Sequence, residues 1–241
     1  MIEFVAETGS TNADLAARLR AGESVREGEW LVAARQTAGR GRMGREWSDG
    51  AGNFMGSTVV RIAPGDPPAP SLALVAGLAL HGALSTHIAA PHRAELKWPN
   101  DVMVGPAKLA GILLEREGDA VIVGIGANLA NAPDLPDRPA IALAGLGAAP
   151  APESFAAELA GHLARDLGRW RTYGLGPVIA RWLAAAHPVG TALNVEDAAG
   201  SRTSGTFAGL SDEGMLQLRL ADGSLRAIHA GEVRYANPAG D

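Results

Sequence analysis

The sequence predicts an α+β fold: one mixed or antiparallel sheet with helices on one face, followed by a small all-β unit. Three observations carry that expectation. Glu95 to Asn128 holds four apolar runs separated only by short turn signals, the pattern of successive strands in one sheet. Helical spacing of apolar residues is confined to stretches on either side of those runs. Beyond His187-Pro188 the segments become short, strand-like and closely punctuated, the grammar of a small barrel.

Taken in order, Met1 to Glu7 is acidic where a secretion signal would be basic, so the chain reads as mature and cytoplasmic. Asn12 to Arg20 places Leu15 and Leu19 four apart behind Ser10-Thr11 and ahead of Gly22, a capped amphipathic helix. Glu29 to Arg35 and Asn53 to Ile62 read as strands, although Gly56 interrupts the second. Between them Gln36 to Gly52 is glycine- and arginine-rich without apolar period, a loop of functional length. After the proline-rich turn Ala63 to Pro70, Leu72, Val75, Leu78 and Leu84 mark a helix over Ser71 to Ile88. Strands are expected at Glu95 to Trp98, Val102 to Val104, Leu109 to Arg116 and Ala120 to Asn128. A second loop, Asn131 to Pro152, leads to helices over Glu153 to Arg171 and Pro177 to Ala186. Turns at Asp197 to Gly200, Ser211 to Gly214 and Ala221 to Ser224 divide the remainder, and a polar tail starts at Ala236. The expected boundary lies near residue 188, giving domains 1–187 and 188–241.

Composition excludes several function classes. With 21 Lys+Arg against 26 Asp+Glu in 241 residues the net charge is −5, unsuited to a general nucleic-acid binder. No cysteine occurs, which removes disulfides, thiol nucleophiles and cysteine metal sites. The most lipid-like stretch, Ser71 to Ala90, contains His81, Ser85, Thr86 and His87, which argues against a membrane span. The six histidines lack ligand spacing. There is no Gly-Lys-Ser/Thr phosphate loop, no Gly-x-Ser-x-Gly elbow and no His-Glu-x-x-His.

Two clusters remain. From Arg35 to Trp47 four arginines face one glutamate within a run of glycines, so the loop carries a charge of +3 inside an acidic chain. Guanidinium forks and close-approaching backbone N–H groups there suit a phosphate or carboxylate. The chain has only two lysines, Lys97 and Lys108, and they flank the turn Trp98-Pro99-Asn100-Asp101. An ammonium is a compact point charge that arginine does not replace. Two of them converging with the Asp101 carboxylate at a strand end suit a nucleoside triphosphate with Mg²⁺. The glycines of Val123-Gly124-Ile125-Gly126 are as readily a close-packing device as a ligand contact.

Together, Gly9-Ser10-Thr11-Asn12, the loop Gln36 to Trp47, Lys97 to Asp101, Lys108 to Glu115 and Gly124 to Asn128 resemble biotin protein ligase, in order and spacing over about half of the chain. The tail, with Gly205 to Leu210 and His229 to Val233, is similar to that family's C-terminal domain. The resemblance implies a core like that of class II aminoacyl-tRNA synthetases and biotin/lipoate transferases, plus an Src-homology-3-like barrel. It implies ATP-dependent formation of biotinyl-5′-AMP, with biotin, ATP and Mg²⁺ required, then transfer to a lysine of a biotin carboxyl carrier protein of acetyl-CoA carboxylase or of another carboxylase carrier domain. Since Ser10-Thr11-Asn12 starts the match, the enzyme-only form is expected, without the DNA-binding helix-turn-helix of some members, without DNA or membrane partners, and with a homodimer left open. By motif position Ser10, Thr11, Asn12 and Gln36 would line the biotin site. Gly39, Arg40, Gly41 and Arg42 would cover the carboxylate and α-phosphate. Lys108, beside Gly111, would offset charge on the reacting oxygens, Lys97 would meet the ATP phosphates, and Asp101 would orient lysine or metal. Trp47 and Asn128 would contact adenine; no protein metal ligand is assigned. Met43 and Gly56 depart from the family pattern. A lipoate-protein ligase or a non-enzymatic biotin- or adenylate-binding regulator are the competing readings.

Overall fold

The computed structural model describes residues 1–47, 50–135, 138–197 and 200–236. The middle of the turn expected at 197–200, two short pieces of the long loops and nearly all of the C-terminal tail lie outside the described residues.

A seven-stranded mixed sheet forms the body. Strand β1 (Ile2–Val5) runs parallel to β2 (Trp30–Ala33). Every later neighbour is antiparallel, through β3 (Phe54–Arg61) to the four strands β4 (Glu95–Lys97), β5 (Asp101–Val104), β6 (Ala107–Glu117) and β7 (Ala120–Ala127), in the spatial order β1-β2-β3-β7-β6-β5-β4. The expected strands are present. Strand β1 carried no sequence signal, because four residues at a sheet edge alternate too briefly to stand out from an acidic terminus.

Alternation along these strands divides the sheet between two layers. Trp30, Val32, Phe54, Val121, Val123 and Ile125 point to the layer of α2 (Leu72–Ser85), α3 (Pro152–Tyr173) and α4 (Leu175–Ala185), the main core. Leu31, Val59 and Ile122 point the other way, to Leu15 and Ala16 of α1 (Thr11–Arg20). The three long helices therefore share one face as expected, and the short α1 covers part of the other. Helix α2 is apolar from Leu72 to Leu80 because the sheet lies below it and α3 and α4 lie beside it, and its polar residues His81 and Ser85 come only in the less buried last turns; Ser71 Oγ, just before the helix, accepts a 2.8 Å bond from Trp170 Nε1. That three-sided burial accounts for its lipid-like composition, and no helix among the described residues is long and apolar enough to cross a membrane. Gly56 does not loosen β3, since a Cβ there would strike the Phe54 ring and Val32, so the missing side chain is space the core uses.

The C-terminal unit is a five-stranded antiparallel sheet of β8 (Ala192–Glu196), β9 (Arg202–Leu210), β10 (Leu216–Arg219), β11 (Leu225–Ile228) and β12 (Glu232–Tyr235), ordered β11-β10-β9-β8-β12. Strands β11 and β12 are its edges, and no ladder closes them into a barrel among the described residues. Leu193, Val195, Phe207, Leu216 and Leu218 join the main core, and Trp98 Nε1 donates to Gly214 O at 3.1 Å, so this sheet is seated on α4 and the β4–β5 edge.

At that seam His187 is 3% exposed and lies against Phe207 and Tyr235, with ring centroids 4.5 and 5.4 Å away, and neither of its nitrogens makes a well-formed hydrogen bond. Burial pushes its pKa down to about 4, the Pro188 backbone offsetting part of this and Lys97 adding to it. The unfolded chain then binds the extra proton first, so stability is full above the ordinary value of 6.5 and falls as pH drops toward 4. The loss is at most about 3 kcal/mol. In His187→Phe the acid limb of a stability-versus-pH curve over that interval should flatten; an unchanged limb would show that another group sets it.

Candidate functional site

Helices α2, α3 and α4 occupy one sheet face, and α1 covers only one end of the other. The rest of that face is the floor of a cavity of about 580 Å³. Its central strands contribute Gly111, Gly124 and Gly126, and in the β6–β7 ladder Gly111 stands opposite Gly126. A Cβ at Gly124 would collide with Asn12, and one at Gly126 with the Trp47 indole. These glycines are therefore a packing device in the service of the site, lowering the floor so that two wall residues can lie across it.

At the α1 end the wall is polar and fully connected. Ser10 caps α1. Thr11 N–H donates to Gln36 Oε1 at 2.7 Å, Thr11 Oγ1 lies 2.6 Å from Ser57 Oγ, and Ser57 Oγ donates to Asn12 Oδ1 at 2.6 Å. Asn12 Nδ2 donates to Glu115 Oε2 at 2.7 Å.

Over the floor lies the arginine loop, folded back on itself: Trp47 N–H donates to Gly39 O at 2.9 Å and Gly41 N–H to Arg45 O at 2.7 Å. Met43, at its exposed tip, adopts the left-handed conformation with φ 56°. This turn delivers Trp47 to the glycine floor, with Lys108 Nζ 5.7 Å from its ring centroid. Gly39 sits behind the wall, where a Cβ would meet the Trp47 carbonyl at 2.9 Å.

At the opposite end Asp101, at the start of β5, takes Lys97 Nζ on one oxygen at 3.1 Å and Lys108 Nζ on the other at 2.5 Å. Burial opposes ionisation of Asp101, but the charges of Lys108 and Lys97 and their bonds to it outweigh that cost and hold the carboxyl well below the usual range. Burial lowers Lys108, and the Asp101 charge opposes the shift. The cluster carries a net +1, and its carboxylate is committed to the lysines. No group of three His, Asp or Glu among the described residues could hold a metal ion.

The C-terminal sheet closes this end. Lys97 Nζ donates to Val233 O at 3.0 Å and lies 5.8 Å from the Tyr235 ring centroid. Arg42 donates to Gly231 O at 3.2 Å and to Asn100 Oδ1 at 3.1 Å, and Arg45 pairs with Glu232.

Ser10, Thr11, Asn12, Gln36, Arg40, Gly41, Arg42, Trp47, Lys97, Asp101, Lys108, Gly111 and Asn128 thus surround one cavity, with Gly39 just behind it. Asn128 is on the wall, yet its Nδ2 donates to the carbonyls of Ile141 and Lys108 at 3.2 and 3.4 Å, holding the following loop. Sequence reasoning missed Ser57, Glu115 and the Gly231–Tyr235 segment. Ser57 sits in an apolar strand with nothing to distinguish it, and β12 lies more than a hundred residues from the loops it anchors, beyond any motif spacing.

Comparison with known proteins gives matches over most of the chain. Residues 8–128 match the family described as Biotin/lipoate A/B protein ligase, and residues 193–234 match the Biotin protein ligase C terminal domain. A biotin--[acetyl-CoA-carboxylase] ligase of Paracoccus denitrificans is 41% identical over 96% of this chain and 99% of its own length. The like-named protein of Mycobacterium tuberculosis is 37% identical over 96% of this chain and 88% of its own. Among solved structures, a biotin protein ligase from Aquifex aeolicus in complex with biotin and ATP superposes with a TM-score of 0.84 at 25% identity, covering 98% of this chain and 99% of that one.

Proposed function

This chain belongs to the biotin/lipoate A/B protein ligase family, and from that premise we propose that it is an ATP-dependent biotin protein ligase acting on a lysine of a biotin carboxyl carrier domain. One observation carries the choice of activity: a single cavity joins a polar, hydrogen-bonded end to a cationic end across a glycine floor. Biotin needs the first for its cyclic urea, and the adenylate phosphate needs the second.

In the first half-reaction the biotin carboxylate attacks the α-phosphorus of ATP and pyrophosphate leaves. Lys108 and Arg42 reach the cavity where negative charge builds on the transferring phosphate, and Lys97 faces the departing phosphates. Asp101 keeps both ammonium groups apart and oriented before substrate arrives, so little reorganisation is needed at the moment of reaction. Mg²⁺ would enter with ATP as part of the substrate and would supply further charge neutralisation on the phosphates. In the second half-reaction the carrier lysine attacks the acyl carbon and AMP leaves. Trp47 supports the adenine from the glycine floor, and Asn128 shapes the wall beside it. The polar wall of Ser10, Thr11, Asn12 and Gln36 favours a cyclic urea over the apolar ring of lipoate. Incubation with ATP, labelled biotin or lipoate, and an apo carrier domain tests this: the acceptor should be labelled with biotin and not lipoate, and labelling by neither would leave only a binding role.

The same reading makes residues 1–187 the catalytic domain and 188–241 a smaller domain whose edge strand completes the site. It places the work in the cytoplasm, where the carrier is made. The net charge of −5 gives no electrostatic term for duplex DNA, so no gel retardation is expected at physiological salt; a retarded band would contradict this.

Arg42 gives a further expected result. Its guanidinium reaches from the loop to Gly231 O and Asn100 at the cavity edge. Arg42→Gly removes that lock and an anion contact of roughly 1.5–3 kcal/mol, which is about a ten- to hundredfold faster loss of biotinyl-5′-AMP. Escaped adenylate should label a lysine-rich bystander protein, read by mass spectrometry. The ligase itself should be labelled far less than the bystander, because its own targets are Lys97 and Lys108, both paired with Asp101, and the terminal amine. Bystander labelling no higher than the parent's would refute the locking role.

A further inference from the structure

Glu115 lies on β6 two residues beyond Leu113 of the cavity floor, behind the wall rather than on it, with its backbone paired to Ile122. Its Oε2 accepts the 2.7 Å bond from Asn12 Nδ2, and its Oε1 faces Arg40 Nη2 at 3.7 Å. A carboxylate only accepts hydrogen bonds, whereas an Asn amide can present either end to a neighbour. Glu115 thus forces Asn12 to turn Nδ2 toward it and Oδ1 toward Ser57. Ser57 must spend its one proton on Asn12 Oδ1, so in the 2.6 Å contact with Thr11 Oγ1 the Ser57 oxygen accepts and Thr11 donates; the Thr11 hydroxyl also lies 3.1 Å from Gln36 Oε1, but a 2.6 Å oxygen–oxygen contact needs a proton between its atoms, so the shorter bond takes it. Independently, the Thr11 backbone N–H fixes Gln36 Oε1 at 2.7 Å and leaves Gln36 Nε2 as a donor.

We propose that Glu115 is a positioning and specificity-determining residue, which sets the direction of the Thr11–Ser57–Asn12 hydrogen-bond chain and thereby which wall atoms donate and which accept. With the chain locked this way the wall offers a ligand the free lone pair of Thr11 Oγ1, the second N–H of Asn12 and Nε2 of Gln36. That set matches a cyclic urea, with N–H and C=O groups side by side, and finds nothing to pair with on a disulfide ring. The inference rests on the ligase reading and adds to it the residue that fixes the polarity of the biotin subsite. The Arg40 contact is the lesser part of what Glu115 does: the pair is long and half-exposed, a geometry that contributes little.

The two effects separate by substitution. Glu115→Met keeps the reach of the side chain and removes the acceptor, so Asn12 can flip and biotin affinity should fall about tenfold, with the KM for ATP and the saturated adenylation rate within about threefold of the parent. Glu115→Gln keeps an acceptor but loses the charge, and should bind biotin within about threefold of the parent. On an Asn12→Ala background Glu115→Met should cost less than about twofold more, since its effect travels through Asn12. Ser57→Ala cuts the chain from the other side of Asn12, and about fivefold weaker biotin binding is expected; this variant leaves Glu115 and its packing untouched should Glu115→Met fold poorly. Glu115→Gln as damaging as Glu115→Met, additive losses with Asn12→Ala, or unchanged biotin binding in Ser57→Ala would each overturn the proposal. Failure of the parent to bind biotin by calorimetry would instead overturn the ligase reading, and this inference with it.

Discussion

Lys108→Met should lower the rate of adenylate formation by about a hundredfold or more while changing biotin affinity by less than about threefold. Methionine matches the length and apolar stem of lysine and deletes only the ammonium. In the resting protein that ammonium is one of two on Asp101, so its removal leaves Asp101 paired with Lys97 and the fold nearly as stable. Its loss is felt when a phosphate gains charge in the cavity, in the transition state more than in the ground state, which is why the rate should fall and binding should not. Pyrophosphate release measured at saturating biotin and ATP, with biotin binding by calorimetry alongside, decides it. Adenylation at the parent rate would transfer the role to Lys97.

Asp101→Asn should have the opposite profile, a large loss of stability. Asparagine keeps the shape but leaves two buried ammonium groups beside each other with no counter-charge, and breaking such a cluster costs about 3–5 kcal/mol. For a chain of this size that is roughly 6–20 °C in the unfolding midpoint. Added pyrophosphate should restore part of the loss in the variant and little in the parent, because the anion supplies the charge that is missing. The pH dependence has a definite sign. The folded-state pKa of Asp101 is depressed, so its contribution is complete above the ordinary carboxylate range and disappears only in strong acid, as pH falls through the folded value. An unfolding midpoint unchanged in Asp101→Asn would show that solvent already screens the two lysines.

What could be read from the sequence follows from how locally each feature is encoded. The four central strands announced themselves through apolar runs and tight turns, and α2 through the spacing of Leu72, Val75, Leu78 and Leu84. The cationic half of the site was legible because a scarce residue type, two lysines in an arginine-rich chain, fell around one turn, and because arginines alternated with glycines in a loop. The role of Gly124 and Gly126 was not legible, since a missing side chain has meaning only through the partner that fills the space, here Asn12 and Trp47. Ser57 and Glu115 share that difficulty: each acts through one hydrogen bond to Asn12, in β3 and β6 respectively. Strand β1 and the open edges of the C-terminal sheet depend on pairing geometry that short strands do not spell out.

The anchors that β12 and its preceding turn provide differ in kind, and the difference bears on how this protein can change over evolutionary time. Lys97 and Arg42 are held by the main-chain carbonyls of Val233 and Gly231, while side chains hold Arg45, through Glu232, and add the Tyr235 ring beside Lys97. A main-chain acceptor survives almost any substitution at its own position. Mutation can therefore rewrite most side chains of this segment without releasing these two cations, provided the path of the strand is kept, whereas a single inserted or deleted residue would shift both carbonyls at once. Among descendants of this sequence, lineages should drift in the letters of this strand and hold its length constant.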